Sequence, residues 1–110
     1  MITPREARVA YISGQGGQDG TGALSPDFAV QVEQAYANLR TALDGVGAKP
    51  NQVAKLTVFV VDHDMSKLEV LTSNVKEMFG EALPAQTLVP VPKLAVNAML
   101  FEVEAVVVLD

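Results

Sequence analysis

The sequence lacks the residues on which several classes of active site depend. It contains no cysteine and a single histidine in 110 residues. The absence of cysteine excludes disulfides, thiol nucleophiles and cysteine-ligated metal sites. One histidine cannot form the histidine pair of a common metal site. No motif for an organic cofactor is present either, so we expect neither a metal nor a cofactor.

Long hydrophobic runs and clusters of basic charge are also missing. No apolar run reaches the roughly 18–20 residues of a membrane helix, and Met1–Gly14 lacks the apolar core of a secretory signal. The eight basic residues are scattered along the chain against 13 acidic ones, for a net charge of −5. A basic surface for nucleic acid is therefore not expected. We expect a cytoplasmic protein that binds neither membranes nor nucleic acid, which also disfavours endoribonuclease activity.

The composition predicts one folded domain over residues 1–110. Half of the residues (49%) are hydrophobic and 19% are charged, as in globular proteins. Two segments have the apolar spacing of amphipathic helices. The first has Ser25 as its predicted N-cap and an apolar stripe over 28–43, with Tyr36 and Asn38 off the stripe and near solvent. The second is Met65–Phe79, which Gly80 ends.

Four segments have the composition of β-strands. They are Val9–Ser13, Val53–Val61, a segment that begins near Gln86, and Met99–Leu109. The glycine-rich stretch Gly14–Gly22 predicts a turn near Asp19-Gly20 and a hairpin with a short return strand. Its glycine spacing does not match a dinucleotide or phosphate loop.

The order of elements predicts an α+β domain with a mixed sheet and both helices on one face. The opposite face keeps apolar residues from Val53–Val61 together with Val106 and Val108. An uncovered apolar face indicates a partner. With one domain in the chain, a second copy is the simplest partner, so we expect a homo-oligomer.

Two groups of polar residues are candidates for chemistry. His63 lies between Asp62 and Asp64, and we interpret this triplet as a capped strand-to-helix turn rather than a metal or catalytic site. Glu102 and Glu104 point to the same face of the last strand. They could form an acid–base pair, but for Glu104 we favour a hydrated or ion-paired position at an edge or interface.

Several motifs together resemble the Rid family (YjgF-type reactive intermediate deaminases). They are spread over nearly the whole chain in the family's order. They comprise Ile12-Ser13-Gly14-Gln15, Val53–Val61 before Asp62, Phe79-Gly80, Pro84-Ala85 and Phe101-Glu102-Val103-Glu104-Ala105.

The resemblance implies an architecture and a chemistry. It implies about six strands backed by two helices, and a homotrimer around a barrel-like core with ligand clefts between subunits. Characterised members hydrolyse enamines and imines, with an arginine after Pro-Ala that clamps the substrate carboxylate and a glutamate that positions water. These positions hold Gln86 and Glu102 here, which resembles an arginine-less branch. The resemblance places Ser13, Thr87 and Leu88 at the substrate. The N-terminal lead-in, which supplies an aromatic residue to the cleft, looks shortened.

Two functions remain open at this point. In the first, the protein hydrolyses an enamine or imine other than the usual 2-imino acids, with Glu102 as the catalytic residue that orients or deprotonates water. In the second, it is a non-catalytic metabolite-binding or interaction protein. The sequence does not name the substrate or the pathway.

Overall fold

Residues 8–109 are described by the computed structural model, and they form an α+β domain. The strands are β1 (Arg8–Gly16), β2 (Val53–Val61), β3 (Ala85–Val91) and β4 (Phe101–Leu109), and the helices are α1 (Phe28–Gly45) and α2 (Leu68–Phe79). Single 3₁₀ turns, Pro50–Gln52 and Met65–Lys67, precede β2 and α2. Within these residues, neither helix combines the length and the apolar character needed to cross a membrane.

The described residues form one mixed sheet of four strands, where the resemblance implied about six. The strand order is β1-β4-β2-β3. Strand β4 is central and antiparallel to both neighbours, whereas β2 and β3 are parallel. A parallel pair needs a crossover connection, and α2 supplies it. Strand β3 is an edge strand, which explains how Pro90 is tolerated within it.

The core lies between the helices and one face of the sheet. The predicted alternation of β4 is confirmed: its inward residues Phe101, Val103, Ala105 and Val107 are at most 3% exposed. Strand β2 has the predicted bounds, and its Leu56, Val58 and Val60 are fully buried. Both helices pack on this face, because their buried stripes belong to the same hydrophobic cluster as these strand residues.

Two details of α1 differ from the prediction. The N-cap is Asp27, whose carboxylate accepts from the Val30 N–H at 3.3 Å, while the Ser25 hydroxyl accepts from the Asp27 N–H. Tyr36 is 4% exposed rather than near solvent. Its ring packs against Phe101, with the centroids 5.8 Å apart, because the sheet reaches further around the helix than the apolar stripe indicated.

The glycine-rich stretch also differs from the prediction. Strand β1 continues through Gly14 to Gly16 instead of ending at Ser13, and it pairs with β4. Residues 17–27 contain no return strand, so the hairpin prediction is wrong. The turn is confirmed: the Gly22 N–H donates to the Asp19 carbonyl at 2.9 Å. The Asp19 carboxylate accepts from Thr21 and Ala23, and these bonds lower its pKa.

The segment around His63 is a capped turn, as predicted. The Asp64 carboxylate accepts from the Ser66 N–H at 2.8 Å and from the Ser66 hydroxyl, and these bonds lower its pKa. Asp62 has a positive φ of 51°, a left-handed conformation that suits a tight turn. Lys67 holds this turn by donating to the Val61 carbonyl at 3.1 Å.

Candidate functional site

Glu102 lies beside the glycines of β1, on the sheet face that the helices leave open. The pairing of β1 with β4 shifts register between Ile12 and Gln15. This β-bulge holds Ser13 and Gly14. A Cβ added at Gly14 would collide with the Glu102 carboxylate and would lie 2.8 Å from its Cγ. Glu102 therefore keeps this side-chain position only because residue 14 lacks a Cβ, and no positive φ requires glycine here.

The Glu102 carboxylate is available for chemistry. The residue is half-buried, and within residues 8–109 it forms no hydrogen bond or ion pair. This unpaired carboxylate is free to accept hydrogen bonds from a ligand or a water molecule.

The rest of the open face carries a short polar strip. Thr57 pairs across the strands with Glu104, which is exposed. Lys55 donates to the Thr87 hydroxyl at 2.6 Å. Within the described residues Glu104 has no ion pair, so its predicted pairing with Lys93 or an arginine is not made inside one subunit. A shallow cavity of about 220 Å³ lies on this face, and Tyr11, Ser13, Lys55 and Val106 are among the residues that line it.

Gln86 and Leu88 lie on the other face of the sheet. They pair with Leu56 and Val58, which are core-facing residues of β2. Residues in register on parallel strands share a face, so both side chains project towards the helices. They line a groove of about 290 Å³ between α2 and β3. Gln86 is exposed at this groove, whereas Leu88 is half-buried.

A single chain therefore does not bring Gln86 and Glu102 together. Their strands, β3 and β4, are separated by β2, and the two side chains project from opposite faces. Strand spacing and rise place their Cα atoms roughly 14 Å apart. Ser13, Gly14 and Glu102 form one group on the open face, while Gln86 and Leu88 form another on the helix face. Thr87 projects to the open face, away from both of its chain neighbours.

Two amides on α1 hold the backbone around Glu102, and the sequence reasoning missed both. Gln31 is fully buried, donates to the carbonyls of Ser25 and Ala98 at 2.7 and 2.9 Å, and accepts from the Leu100 N–H at 2.9 Å. Asn38 donates to the carbonyls of Gly16 and Gln18 at 2.9 and 2.8 Å.

These amides tie the ends of β1 and β4 to one helix, next to Gly14 and Glu102. Both sit three residues after an apolar stripe position, Phe28 and Ala35. This spacing is the sequence signal for both amides, because a polar side chain on a buried helix face needs hydrogen-bond partners.

Gly17 and Tyr36 show how closely α1 approaches the sheet. A Cβ added at Gly17 would lie 2.7 Å from the backbone of Gln31. Burial raises the pKa of Tyr36, whose hydroxyl has no hydrogen-bond partner in the part of the chain that the structure describes.

Among residues 8–109, no group of three or more His, Asp or Glu side chains could hold a metal ion.

Known proteins are similar to this chain in sequence and in fold. The family model described as endoribonuclease L-PSP matches residues 4–109. A 2-iminobutanoate/2-iminopropanoate deaminase from Mus musculus is 35% identical over 103 residues, which cover 92% of this chain and 74% of that protein.

Two crystal structures are similar over most of their length. YyfB from Yersinia pestis, described as a protein of unknown function of the conserved Rid family, has a TM-score of 0.87 at 30% identity, covering 93% of this chain and 79% of that one. RidA from an Antarctic Psychrobacter has a TM-score of 0.81 at 30% identity, covering 93% and 85%.

Proposed function

The chain belongs to the Rid (YjgF-type) family, and from this premise we propose that it hydrolyses an enamine or imine in clefts between the subunits of a homotrimer. The observation that carries the proposal is the unpaired, half-buried Glu102 carboxylate beside Gly14. Relatives described as 2-iminobutanoate/2-iminopropanoate deaminases support the reaction class.

The proposed reaction converts a C=N bond and water into a carbonyl and ammonia. Water adds to the carbon of the imine, and Glu102 orients the water and accepts one of its protons. Return of that proton to nitrogen lets ammonia leave as the C=O bond forms. The exchange uses only water, so no oxidant, reductant or cofactor is needed.

The cleft is assembled from the two halves of the site, each on a different subunit. One subunit contributes Gln86 and Leu88 from its helix-side groove, where Gln86 and the backbone near Leu88 bind the polar end of the substrate. The next subunit contributes Glu102 and Ser13 from its open face, where its Thr87 also supplies a hydroxyl. Supporting this arrangement, the two halves lie on opposite faces of one sheet and cannot meet inside one subunit.

Gln86 argues against the usual 2-imino acids as substrates. A guanidinium forms a charge-assisted, bidentate pair with a carboxylate, whereas an amide offers ordinary hydrogen bonds. In a desolvated cleft the exchange weakens carboxylate binding by roughly 2–5 kcal/mol. The same substitution favours a second candidate, a site that binds a metabolite without turning it over.

A kinetic comparison of variants at two glutamates on the same face of β4 tests the proposal. Ammonia release would be followed with 2-aminoacrylate, which gives pyruvate, and with a primary enamine that lacks a carboxylate, which gives a ketone. Glu102→Gln is expected to lower turnover by about 10²–10⁴-fold. Glu104→Gln is the matched control, because it lies on the same face two residues away and is exposed. Equal rates for wild type and Glu102→Gln contradict the catalytic role, and no acceleration by either protein favours the binding candidate.

Sedimentation tests the assembly. The chain mass is 11.7 kDa, so a trimer sediments at about 35 kDa. Val106 is half-buried on the open face, and Val106→Lys places a charge in the proposed contact. This variant is expected to sediment as a smaller species, and a monomeric wild type at micromolar concentration refutes the trimer.

A further inference from the structure

The groove between α1 and α2 has a buried, unpaired hydroxyl in its lining. This α1–α2 groove has a volume of about 300 Å³ and shares no lining residue with the groove that holds Gln86. Tyr36 lines it and is only 4% exposed. Within residues 8–109 the Tyr36 hydroxyl has no hydrogen-bond partner. Leaving a buried hydroxyl unpaired costs free energy, and a ligand that hydrogen-bonds to it would recover that cost.

The charged side chains around the α1–α2 groove are mostly acidic. Glu33, Asp44 and Glu77 border it as exposed carboxylates, and Arg40 is the single cation in the lining. In the part of the chain that the structure describes, none of these four side chains forms a hydrogen bond or an ion pair. The lining therefore carries a net charge of −2, from three carboxylates and one guanidinium. This charge favours a cationic ligand.

The neutral polar groups of the groove also favour a ligand rich in N–H donors. The Thr41 hydroxyl donates to the Ala37 carbonyl at 3.2 Å, and the Asn74 amide donates to the Val70 carbonyl at 2.9 Å. Both residues therefore use a donor within their own helix and keep an oxygen that can accept. The Tyr36 oxygen can accept as well.

The positions of the charges indicate an extended ligand with one charge at each end. Glu33 and Asp44 are both on α1, and the helical rise separates them by roughly 16 Å. No three acidic or histidine side chains among residues 8–109 could hold a metal ion, so a compact divalent cation does not suit this groove. Arg40 lies between the two carboxylates in sequence, where it would repel a central positive charge. The apolar Ala37 and Met78 also line the groove.

We infer that the α1–α2 groove binds a linear aliphatic diamine with an ammonium group at each end, at a site distinct from the proposed imine cleft. One ammonium group pairs with Glu33 and donates to the hydroxyl of Tyr36, which is a neighbour of Glu33 on the helix surface. The other pairs with Asp44, while the methylene chain covers Ala37 and Met78. The volume corresponds to about ten water molecules at roughly 30 Å³ each, which matches a diamine of about ten non-hydrogen atoms.

An NMR titration of the isotope-labelled protein with 1,8-diaminooctane tests the charges. Shifted amide signals are expected on α1 and α2. Glu33→Gln is expected to weaken binding about two- to fivefold, the usual effect of losing one exposed ion pair. Arg40→Gln is expected to strengthen binding by a similar factor, because it removes a repulsion. Glu69→Gln is the matched control and should bind as wild type does, since it removes an exposed carboxylate of α2 outside the groove.

A second variant tests the buried hydroxyl. Tyr36→Phe keeps the ring that packs against Phe101 and removes only the unpaired hydroxyl, so it is expected to fold. It should bind 1,8-diaminooctane about two- to tenfold more weakly than wild type, because one hydrogen bond is lost. The diamine should accordingly raise the Tm of wild type more than that of Tyr36→Phe.

The ligand series tests the two-ended arrangement. Octylamine, with one ammonium group, and 1,4-diaminobutane, too short to reach both Glu33 and Asp44, should each bind more weakly than 1,8-diaminooctane. The inference is overturned if either binds as tightly, if Glu33→Gln or Tyr36→Phe keeps the wild-type affinity, or if Arg40→Gln does not strengthen binding. Signal shifts scattered over the acidic surface also overturn it, because they would report non-specific attraction to a chain of net charge −5.

The Glu102→Gln variant separates this inference from the proposed function. It is expected to bind 1,8-diaminooctane as wild type does, since Glu102 does not line the α1–α2 groove. Diamine binding in a protein that hydrolyses no imine removes the proposed reaction and leaves the diamine site. Glu102-dependent hydrolysis without diamine binding removes the diamine site alone.

Discussion

Replacing Gly14 by alanine should greatly lower the proposed imine-hydrolysing activity while leaving the fold intact. The added Cβ would collide with the end of the Glu102 side chain and would lie 2.8 Å from its Cγ. Gly14 does not have a positive φ, so alanine fits the backbone itself. The collision is relieved if Glu102 moves to another rotamer, because only the far part of a flexible side chain is in the way.

The expected change in stability is small because two effects oppose each other. An off-rotamer Glu102 costs about 0.5–1.5 kcal/mol, whereas glycine-to-alanine replacement gains about 0.4–1 kcal/mol through the unfolded chain. The net change in unfolding free energy is within about 1 kcal/mol, or a shift in Tm of no more than about 4–8 °C. Activity is expected to fall about 10²–10⁴-fold, because the proposed general base, Glu102, is displaced.

The assay is kcat/KM for ammonia release, measured beside thermal unfolding. Gly20→Ala is the matched control, since a Cβ there meets nothing within 4 Å. The double variant Gly14→Ala/Glu102→Gln should be no slower than Glu102→Gln alone, because both changes remove the same carboxylate. Full activity of Gly14→Ala would refute the reasoning, and so would additive losses in the double variant.

Three further predictions concern stability. Gln31→Leu leaves three backbone groups unpaired and should lower the free energy of unfolding, measured in urea, by roughly 2–4 kcal/mol. Gln34→Leu loses one side-chain hydrogen bond and should lower it much less. Equal losses for the two variants would contradict the structural role given to Gln31. Tyr36→Phe removes a buried hydroxyl without a partner and should raise stability by about 1 kcal/mol. Burial raises the folded-state pKa of Tyr36 above its ordinary 10.0, so wild type should lose stability as pH rises above that value, when only the unfolded chain ionises, and Tyr36→Phe should lack this loss. The lowered pKa of Asp64 stabilises the fold above about pH 4, so wild type should lose more stability on acidification than Asp64→Asn, with Asp62→Asn as the control.

The periodicity of apolar residues was sufficient to predict most of the fold. The alternation of β4 separated Phe101 and Val103 from Glu102 and Glu104, and the structure keeps that separation. The β-branched run of β2 and the apolar stripes of both helices were equally informative. These patterns depend on local geometry, in which the period of side chains follows directly from the backbone.

The predictions that were wrong depended on contacts between distant segments. The glycine-rich stretch favoured a strand that ends at Ser13 and a hairpin, yet Gly14 and Gly16 belong to β1 and allow it to pass close to Glu102 and Met99. Tyr36 is buried because Phe101, far along the chain, covers it. The local periodicity of apolar residues does not predict such contacts between segments that are distant in sequence.

The sequence pattern also does not predict which face of the sheet Gln86 occupies. The prolines near β3 indicate roughly where the strand begins and ends. They do not determine its register on β2, that is, which residues pair with Leu56 and Val58. A shift of one residue in register would have exchanged Gln86 with Thr87 on the helix face. The sequence therefore indicates candidate residues but not the face of the sheet on which each one lies.

The placement of Gln86 and Glu102 on opposite faces has a genetic consequence. With the proposed cleft between subunits, the variants Gln86→Ala and Glu102→Gln are expected to restore each other's activity when they are mixed, because one intact residue from each can meet at a shared contact. In randomly assembled cyclic trimers, about one quarter of the clefts would receive both intact residues. A population carrying both alleles would thus keep an activity that each allele alone reduces.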